Sequence, residues 1–285
     1  MAYKITEDIE TVIELTELSM DDFADELGVS RTTINNWLTE RHEISPQNAA
    51  SFYDYAFKKG IRLNKIKEQL YIEDIVHGSD VLLFHGAKKA IEGHLSLEYS
   101  KKNNDFGNGF YCGESLEQSA MFVSNFPHSS LYMLKFHPAN LRGKEFHVDR
   151  DWMLMIAYFR NRLGEYASSK IIQDLLAELE GLDYIIAPIA DNRMFEIIDQ
   201  FIDGEITDTQ CRHCLSATNL GKQYVFISEQ ALKQIEILEQ CYLANAEKEF
   251  YLTSKQESYG MNRDKVKVAR KQYRGQGKYI EDILQ

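Results

Sequence analysis

The stretch from residue 19 to residue 38 constrains the fold more than any other part of the sequence, because it predicts two short amphipathic helices joined by a tight turn. Ser19 is a suitable N-cap for the first helix, Gly28 supplies the turn, and Ser30 caps the second helix. The apolar residues of the second helix are Ile34, Trp37 and Leu38. Their spacing of three and four places them on one buried face, so the polar residues between them must point outward.

The outward side chains of the second helix are those of Arg31, Thr32, Asn35 and Asn36. A tight turn followed by such a helix is the helix-turn-helix pattern, and residues 23–37 resemble the repressor-type helix-turn-helix family. The resemblance implies that these four residues read operator DNA, since Asn pairs with adenine and Arg with guanine in the major groove. It also implies a homodimer. The alternative is a small helical bundle that binds a protein partner or the neighbouring domain.

Charge is distributed unevenly along the chain. Its 285 residues carry a formal net charge of −12, which argues against general nucleic-acid binding. The first 40 residues contain ten acidic and two basic residues, and this weakens the case for DNA binding because phosphate attraction supplies much of the affinity. Residues 261–285 instead contain seven basic and three acidic residues. This segment is a candidate contact for nucleic acid or an acidic surface, with a solvated helix as the alternative.

Hydrophobic periodicity divides the chain into three predicted regions. Residues 1–76 are predicted to form an all-α helix-turn-helix domain, and residues 77–80 a linker. Residues 80–244 mix strands and helices without regular βα alternation, which predicts an α+β fold rather than a doubly wound sheet. Residues 245–285 are predicted to be a basic helical tail with a frayed end.

Individual elements follow from the same periodicity. Two further helices are predicted in the N-terminal region, one from Ser45-Pro46 to about Gly60 and one from Leu63 to Leu70. The predicted strands are Val81–Phe84, Leu131–Phe136, Tyr184–Pro188 and Tyr224–Ile227. The predicted helices of the mixed region are Trp152–Leu163, Lys170–Glu180, Met194–Ile202 and Glu229–Leu243.

Two segments of the mixed region have the composition of a dinucleotide-binding site. Asp105–Tyr111 contains two glycines and two adjacent aromatic residues. Glycine permits close approach of the backbone to a ligand, and an aromatic ring beside it offers a stacking surface. His85 and Gly86 follow where the strand-like run Val81–Phe84 ends. Together these segments predict a grip on a dinucleotide.

Segments across the mixed region resemble the ADP-ribosyltransferase superfamily, and more closely a bacterial family of uncharacterised function within it. These segments are Leu83–Gly86, Asp105–Tyr111, Leu182–Asp191 and Gly221–Phe226. The resemblance implies a split mixed sheet with helices, NAD as co-substrate and no metal. The branch concerned has a His-Tyr-Glu triad, whose positions correspond here to His85, Tyr111 and Gln223.

The resemblance assigns a role to each matching residue. His85 hydrogen-bonds the adenosine ribose, the Gly86 backbone holds the nicotinamide amide, and Tyr111 stacks on the nicotinamide ring. The full predicted NAD-binding set is His85, Gly86, Asp105, Gly109, Phe110 and Tyr111. Gln223 replaces the triad glutamate, so it offers hydrogen bonds without negative charge near an oxocarbenium-like transition state, and we expect a reduced rate. Taken alone, His85 can be a core histidine and Tyr111 a buried aromatic residue.

The function implied by the resemblance is that of an intracellular bacterial mono-ADP-ribosyltransferase. It would cleave NAD and transfer ADP-ribose to a protein or nucleic acid, as an effector of a toxin–antitoxin or phage-defence module with an antitoxin as a further partner. Asp191, Asn192 and Arg193 can line the acceptor side, or Asp191 can cap a helix. The alternative function, favoured by Gln223, is that of a transcription regulator whose second region senses NAD or ADP-ribose.

Composition excludes several other classes. The hydrophobic share of 44% and the aromatic share of 12% are typical of globular proteins. No apolar run approaches the roughly 18 residues of a membrane span, and no secretory signal is visible. Four cysteines without disulfide-framework spacing suit a reducing cytoplasm. Cys211 and Cys214 have Cys-x-x-Cys spacing but lack a second ligand pair for zinc, so no metal is expected.

Overall fold

The computed structural model describes residues 3–75, 78–218 and 220–284. The chain forms two compact units, each built from separate parts of the sequence. The first unit comprises Met1–Ala90, Leu116–Lys135 and Ile237–Ser254, and the second comprises Ile91–Ser115, Phe136–Glu236 and Lys255–Gln285. The predicted linker 77–80 lies partly outside the described residues. The domains predicted at 1–76, 80–244 and 245–285 stay predictions.

The described residues form α-helices, one short 3₁₀ helix at Gly164–Ser168, and strands. The α-helices are α1 (Ile5–Thr16), α2 (Met20–Leu27), α3 (Arg31–Leu38), α4 (Pro46–Lys58), α5 (Leu63–Ile75), α6 (Leu116–Val123), α7 (Arg150–Phe159), α8 (Lys170–Ala177), α9 (Asn192–Ile202), α10 (Asp208–Ser216), α11 (Glu229–Leu232), α12 (Asn245–Gln272) and α13 (Ile280–Leu284). The strands are β1 (Val81–Ala87), β2 (Phe110–Gly113), β3 (Ser130–Phe136), β4 (Gly143–Glu145), β5 (Tyr184–Pro188), β6 (Lys222–Phe226) and β7 (Ile235–Cys241). The predicted α+β class is therefore confirmed.

The helices of the N-terminal region begin and end where their capping residues predict. Ser19 Oγ accepts a hydrogen bond from Asp22 N, and Ser30 Oγ accepts one from Thr33 N. Gly28 ends α2 with a φ of 67°, the left-handed conformation that favours glycine. Local sequence thus fixes both helices of the helix-turn-helix. Helix α4 likewise begins after its cap, with proline at its first position.

The apolar faces of these helices share one core. Phe23, Ile34 and Phe52 are fully buried, and Trp37 packs with them. Leu38 is half-buried at the edge of the same cluster. Ile34 and Trp37 of α3 are buried in this core. The polar side chains of α3 therefore point away from the core, as the spacing predicts.

The first unit contains β1 and most residues of β3 and β7. These strands are neighbours in the sheet, in the order β1-β3-β7. Helix α6 packs against β1, and Ser119 Oγ donates a hydrogen bond to the Phe84 carbonyl over 3.2 Å. Phe84, Leu116 and Leu131 lie in the apolar cluster beneath this helix. A second core within the unit therefore holds β1 in place.

The second unit contains a four-stranded mixed sheet in the order β4-β5-β6-β2. Strands β4 and β5 are parallel, whereas β5 and β6, and β6 and β2, are antiparallel. One face of this sheet carries Ile185 and Val225, which are buried with Trp152 of α7 in the unit's apolar core. The predicted mixed sheet is confirmed, and its helix-covered face is the one that carries Tyr111.

The opposite face of the same sheet carries aromatic side chains. The rings of Phe136 and Phe226 are 4.7 Å apart in an edge-to-face arrangement, and those of Tyr184 and Tyr224 are stacked 6.3 Å apart. Phe110 lies on this face, 6.5 Å from Phe226. Successive residues of β2 and β6 therefore point to opposite faces of the sheet. One face packs against the helices, and the other carries the aromatic cluster.

The helix predicted at Glu229–Leu243 is wrong. Only Glu229–Leu232 is helical, and β7 follows. Two polar residues of this strand, Glu239 and Gln240, are buried. Glu239 accepts hydrogen bonds from Lys67 and Tyr71, and Gln240 donates to Ser130. Because these partners come from distant parts of the chain, the local pattern does not reveal the strand.

Two further expectations need correction. Strand β1 extends to Ala87, so His85 and Gly86 lie inside the strand rather than at its end. The C-terminal segment is helical as predicted, but its end is not frayed, because Ile280 and Leu284 of α13 are buried in the core of the second unit. Among the described helices, none has the length and apolarity needed to cross a membrane.

Candidate functional site

The loop Asp105–Gly109, which leads into β2, is braced by the side chain of Tyr111. Phe106 N donates a hydrogen bond to the Tyr111 hydroxyl over 3.1 Å, and that hydroxyl donates to the Gly107 carbonyl over 2.8 Å. The Tyr111 ring is half-buried against the core of the second unit. Burial raises the pKa of the Tyr111 hydroxyl, so it stays protonated near neutral pH and remains a donor.

Both glycines of this loop have a packing role. Gly107 has a φ of 72°, and a Cβ there would lie 2.9 Å from the Phe159 ring. A Cβ at Gly109 would lie 2.7 Å from a methyl carbon of Val225 and 3.0 Å from the Phe226 carbonyl oxygen. The packing of this loop against the Val225 side chain therefore favours glycine at position 109. The predicted contact of Gly109 with NAD stays a prediction, as does that of Phe110, which is buried on the aromatic face.

Asp105 is the centre of a buried polar cluster and is only 6% exposed. Its Oδ1 accepts hydrogen bonds from Arg160, with the Nε at 3.0 Å and Nη2 as a second donor. Its Oδ2 accepts from Ala190 N over 3.3 Å and from Gln223 Nε2 over 2.9 Å. Both oxygens are thus engaged by three separate segments of the chain. The predicted role of Asp105 in binding NAD directly stays a prediction.

Gln223 lies next to this cluster, on β6. Its Nε2 donates to Asp105 Oδ2 and, over 3.1 Å, to the Pro188 carbonyl. The strand register pairs Tyr111 with Val225 and Gly113 with Gln223. Paired residues project to the same face, so Tyr111 and Gln223 are diagonal neighbours there, at a typical separation of about 7–8 Å. The structure therefore brings Asp105, Tyr111 and Gln223 together.

His85 and Gly86 belong to the first unit. The half-buried His85 ring lies 6.4 Å from the Tyr132 ring. A Cβ at Gly86 would lie 2.6 Å from the Ser119 carbonyl oxygen and 2.9 Å from Val123. The close packing of α6 on β1 therefore requires glycine at position 86. The NAD contacts predicted for His85 and Gly86 stay predictions.

The predicted DNA-reading residues lie on α3, as the periodicity indicates. Arg31, Thr32 and Asn35 are exposed, whereas Asn36 is half-buried. Arg31 Nη1 forms an exposed ion pair with Asp21 Oδ2 over 3.0 Å. A duplex would have to compete with this carboxylate for the Arg31 side chain, although exposed ion pairs are weak.

Comparisons with known proteins find two family matches in the chain. Residues 81–237, more than half of the chain, match the family described as "Protein of unknown function (DUF3990)". The chain belongs to the DUF3990 family. Residues 10–51 match the helix-turn-helix family, which confirms the predicted motif and identifies an element typical of DNA-binding regulators. No curated protein and no solved structure matches significantly. The resemblance to ADP-ribosyltransferases remains a hypothesis for the DUF3990 domain.

Other polar residues of the DUF3990 domain have structural partners. Asp191 caps α9 by accepting hydrogen bonds from Arg193 N and Met194 N, and the Asn192 side chain lies outside the described part of the structure. Cys211 and Cys214 are buried in α10, and burial raises the pKa of both thiols. Within the described ranges, no group of three or more His, Cys, Asp or Glu side chains is arranged to hold a metal ion.

Sequence reasoning missed Arg160, the main partner of Asp105. It follows the last residue of α7, and its Nη2 also donates to the Ala190 carbonyl over 2.9 Å. Its guanidinium lies 4.3 Å from the centre of the Phe195 ring. The only local signal was an arginine at the end of an apolar helix, because the contact with Asp105 spans 55 residues of sequence.

The C-terminal basic residues beyond the DUF3990 domain are mostly solvated. Arg270 is half-buried and pairs with Gln200. This distribution fits a solvated helix and leaves the predicted contact with nucleic acid or an acidic surface as a prediction. The exposed basic residues are Arg263, Lys265, Lys267, Lys271, Arg274 and Lys278.

Proposed function

We propose that this DUF3990 protein is an NAD-dependent mono-ADP-ribosyltransferase joined to a DNA-binding helix-turn-helix. The observation that carries the proposal is the register of β2 and β6, which places Tyr111 and Gln223 on one face of the sheet. These are two of the three positions of the His-Tyr-Glu pattern. The braced loop Asp105–Gly109 adds a rigid backbone segment beside them.

The proposed reaction is a substitution at C1′ of the nicotinamide ribose. The bond between C1′ and the nicotinamide nitrogen breaks, and nicotinamide leaves with the electron pair. A nucleophilic atom of the acceptor then bonds to C1′ and loses its proton to solvent or a nearby base. Tyr111 stacks on the nicotinamide, Gln223 accepts a hydrogen bond from its ribose, and His85 and Gly86 bind as the resemblance implies. The acceptor is a protein or nucleic acid.

Transfer of labelled ADP-ribose tests this function. Purified protein is incubated with NAD labelled in the adenylate part and with cell extract, and both nicotinamide release and labelled macromolecule are measured. We expect turnover in the wild type and its loss in Tyr111→Ala. Tyr99→Ala is the matched control, since Tyr99 is 86% exposed in the same unit, and it should retain turnover. Intact NAD in all samples would contradict the proposal.

A second candidate function is an NAD- or ADP-ribose-sensing transcription regulator. It is favoured by Gln223, which is neutral and whose Nε2 already has two acceptors. Calorimetry with NAD and with ADP-ribose distinguishes the two candidates. Binding with a stoichiometric heat but without nicotinamide release, alone or with extract, supports the sensor and excludes the enzyme.

In the proposed function, the helix-turn-helix directs the enzyme to DNA or represses the protein's own operon. Operator DNA is the proposed partner, with an antitoxin protein and a second copy of the chain as further partners in a toxin–antitoxin or phage-defence module. A gel shift on the DNA upstream of the coding sequence tests the first partner. We expect a salt-sensitive shift that weakens in Asn35→Ala and persists in Gln47→Ala, an exposed change on α4. Equal shifts by both variants would exclude Asn35 as a reader.

A further inference from the structure

The orientation of the Gln223 amide is fixed by its surroundings. Its Nε2 faces two acceptors, Asp105 Oδ2 at 2.9 Å and the Pro188 carbonyl at 3.1 Å. A flipped amide would place its oxygen against both of them and would lose both hydrogen bonds. Among the described residues, Gln223 Oε1 makes no hydrogen bond. The group that Gln223 offers to a ligand is therefore a carbonyl oxygen, which is an acceptor.

Asp105 is in turn held in one position. Arg160 donates twice to its Oδ1, while Ala190 N donates to its Oδ2. Arg160 is anchored by the Ala190 carbonyl and by the face of the Phe195 ring. The carboxylate therefore cannot turn away from Gln223 without giving up several charge-assisted hydrogen bonds.

We propose that Asp105, held by Arg160, is a positioning residue that orients Gln223 as the hydrogen-bond acceptor for a ligand hydroxyl group. This inference rests on the proposed NAD function and identifies the hydroxyl as that of the nicotinamide ribose. The hydrogen bond to a carboxylate polarises the Gln223 amide and makes its oxygen a stronger acceptor. The glutamine is then a matched partner of Asp105 and Arg160, rather than a glutamate that has lost its charge.

The pairing of Gln223 with Asp105 changes the expected effect of Gln223→Glu. If Gln223 were a weakened triad glutamate, Gln223→Glu would improve activity. In the structure, that change removes both donors and sets a second carboxylate against Asp105 Oδ2 and the Pro188 carbonyl. Two carboxylates at hydrogen-bond distance repel each other, and the side chain is displaced from its ligand-facing position. We therefore expect Gln223→Glu to weaken NAD binding.

A reciprocal exchange tests the pairing in the full-length protein. When Asp105→Asn is combined with Gln223→Glu, the amide introduced at position 105 can donate to the carboxylate introduced at position 223, and the total charge is that of the wild type. NAD dissociation constants are measured by calorimetry, with thermal unfolding as a check of folding. Gln223→Glu should weaken NAD binding by at least about tenfold, and the double variant should recover a substantial part of that loss. Gln173→Glu, an exposed change that also removes a donor to a carbonyl, should have no effect.

The outcomes separate this inference from the function on which it rests. A wild-type protein that does not bind NAD overturns the proposed function and this inference with it. A wild-type protein that binds NAD, together with a folded Gln223→Glu that binds NAD equally well or turns it over faster, overturns this inference alone. Absence of recovery in a folded double variant also overturns it.

Discussion

Gln223 donates a hydrogen bond to Asp105 across 118 positions of sequence, with 2.9 Å between Nε2 and Oδ2. This contact joins β6 to the loop that precedes β2, and Tyr111 braces the same loop. Gln223 and Asp105 are 7% and 6% exposed, so their hydrogen bonds form away from bulk water. Loss of the Gln223 donor therefore leaves buried Asp105 Oδ2 with the longer hydrogen bond from Ala190 N as its remaining contact, and this loss is not compensated by bulk water.

Arg160→Ala should destabilise the second unit strongly. The change leaves the buried Asp105 carboxylate without its cationic partner, which typically costs about 3–5 kcal/mol. Arg162→Ala is the matched control two residues away, because Arg162 forms half-exposed ion pairs with Asp199 and Asp203. Such pairs contribute about 1 kcal/mol or less. Urea unfolding followed by circular dichroism measures both; equal losses would contradict the assigned importance of the Arg160–Asp105 pair.

Tyr111→Phe should separate the bracing role of this residue from its stacking role. The variant keeps the ring and removes the hydroxyl that bonds Phe106 N and the Gly107 carbonyl. We expect a loss of about 1–2 kcal/mol in unfolding free energy with NAD binding largely retained, whereas Tyr111→Ala should lose binding as well. The measurements are chemical unfolding and calorimetry. If Tyr111→Phe abolishes binding to the same extent as Tyr111→Ala in a folded protein, stacking is not the role of the ring.

Lys67→Met should destabilise the first unit. Lys67 Nζ lies 2.6 Å from Asp8 Oδ1 and also pairs with Glu239, and both carboxylates are almost fully buried. Without Lys67 these two buried anions lack a cation, and we expect a loss of about 3 kcal/mol or more. Lys65→Met is the control, because Lys65 forms more exposed pairs with Glu68 and Glu117. A Lys67→Met variant that unfolds at the same urea concentration as Lys65→Met would contradict the prediction.

Glu247 should make the stability of the first unit depend on pH. Burial raises the pKa of its carboxyl from the usual 4.5 to about 7 in the folded protein. Between these values the folded state holds a proton that the unfolded state has released, so the unfolding free energy falls as pH rises from about 4.5 to about 7. The slope contributed by one such group is at most about 1.4 kcal/mol per pH unit.

The Glu247 prediction is tested by comparing variants at several pH values. Glu247→Gln removes the titrating group, so its stability relative to the wild type should increase with pH across this window. Glu249→Gln, an exposed change on the same helix, should follow the wild type at every pH. Parallel pH profiles for wild type and Glu247→Gln would show that Glu247 does not titrate in this range.

Local signals in the sequence predicted the helical part of the N-terminal region well. The caps at Ser19 and Ser30 and the turn at Gly28 depend on residues within a few positions, and the structure has all three. Strand β7 was missed because the partners that satisfy Glu239 and Gln240 are far away in sequence.

The candidate site shows the same limit. The sequence pointed to Tyr111 and Gln223, and the strand register places both on one face of the sheet. The sequence did not reveal that Arg160 pairs with Asp105, the residue that accepts a hydrogen bond from Gln223. An ion pair between a loop and the end of a helix leaves no periodic pattern in the sequence.

The glycines at positions 86 and 109 illustrate a different point. Both were predicted to contact NAD, and each has a packing cause in the structure. A Cβ at Gly86 would meet the Ser119 carbonyl oxygen, and a Cβ at Gly109 would meet Val225. A glycine in a motif-like segment can therefore be required by the fold whether or not a ligand lies beside it.

The most direct test of the central claim is a balance of the two halves of NAD. Wild-type protein is incubated with extract and with NAD carrying one label on the nicotinamide ring and another on the adenylate. The account predicts that free nicotinamide appears together with an equal amount of adenylate label bound to macromolecule, and that neither appears with Tyr111→Ala. Recovery of NAD with both labels intact after prolonged incubation would contradict it.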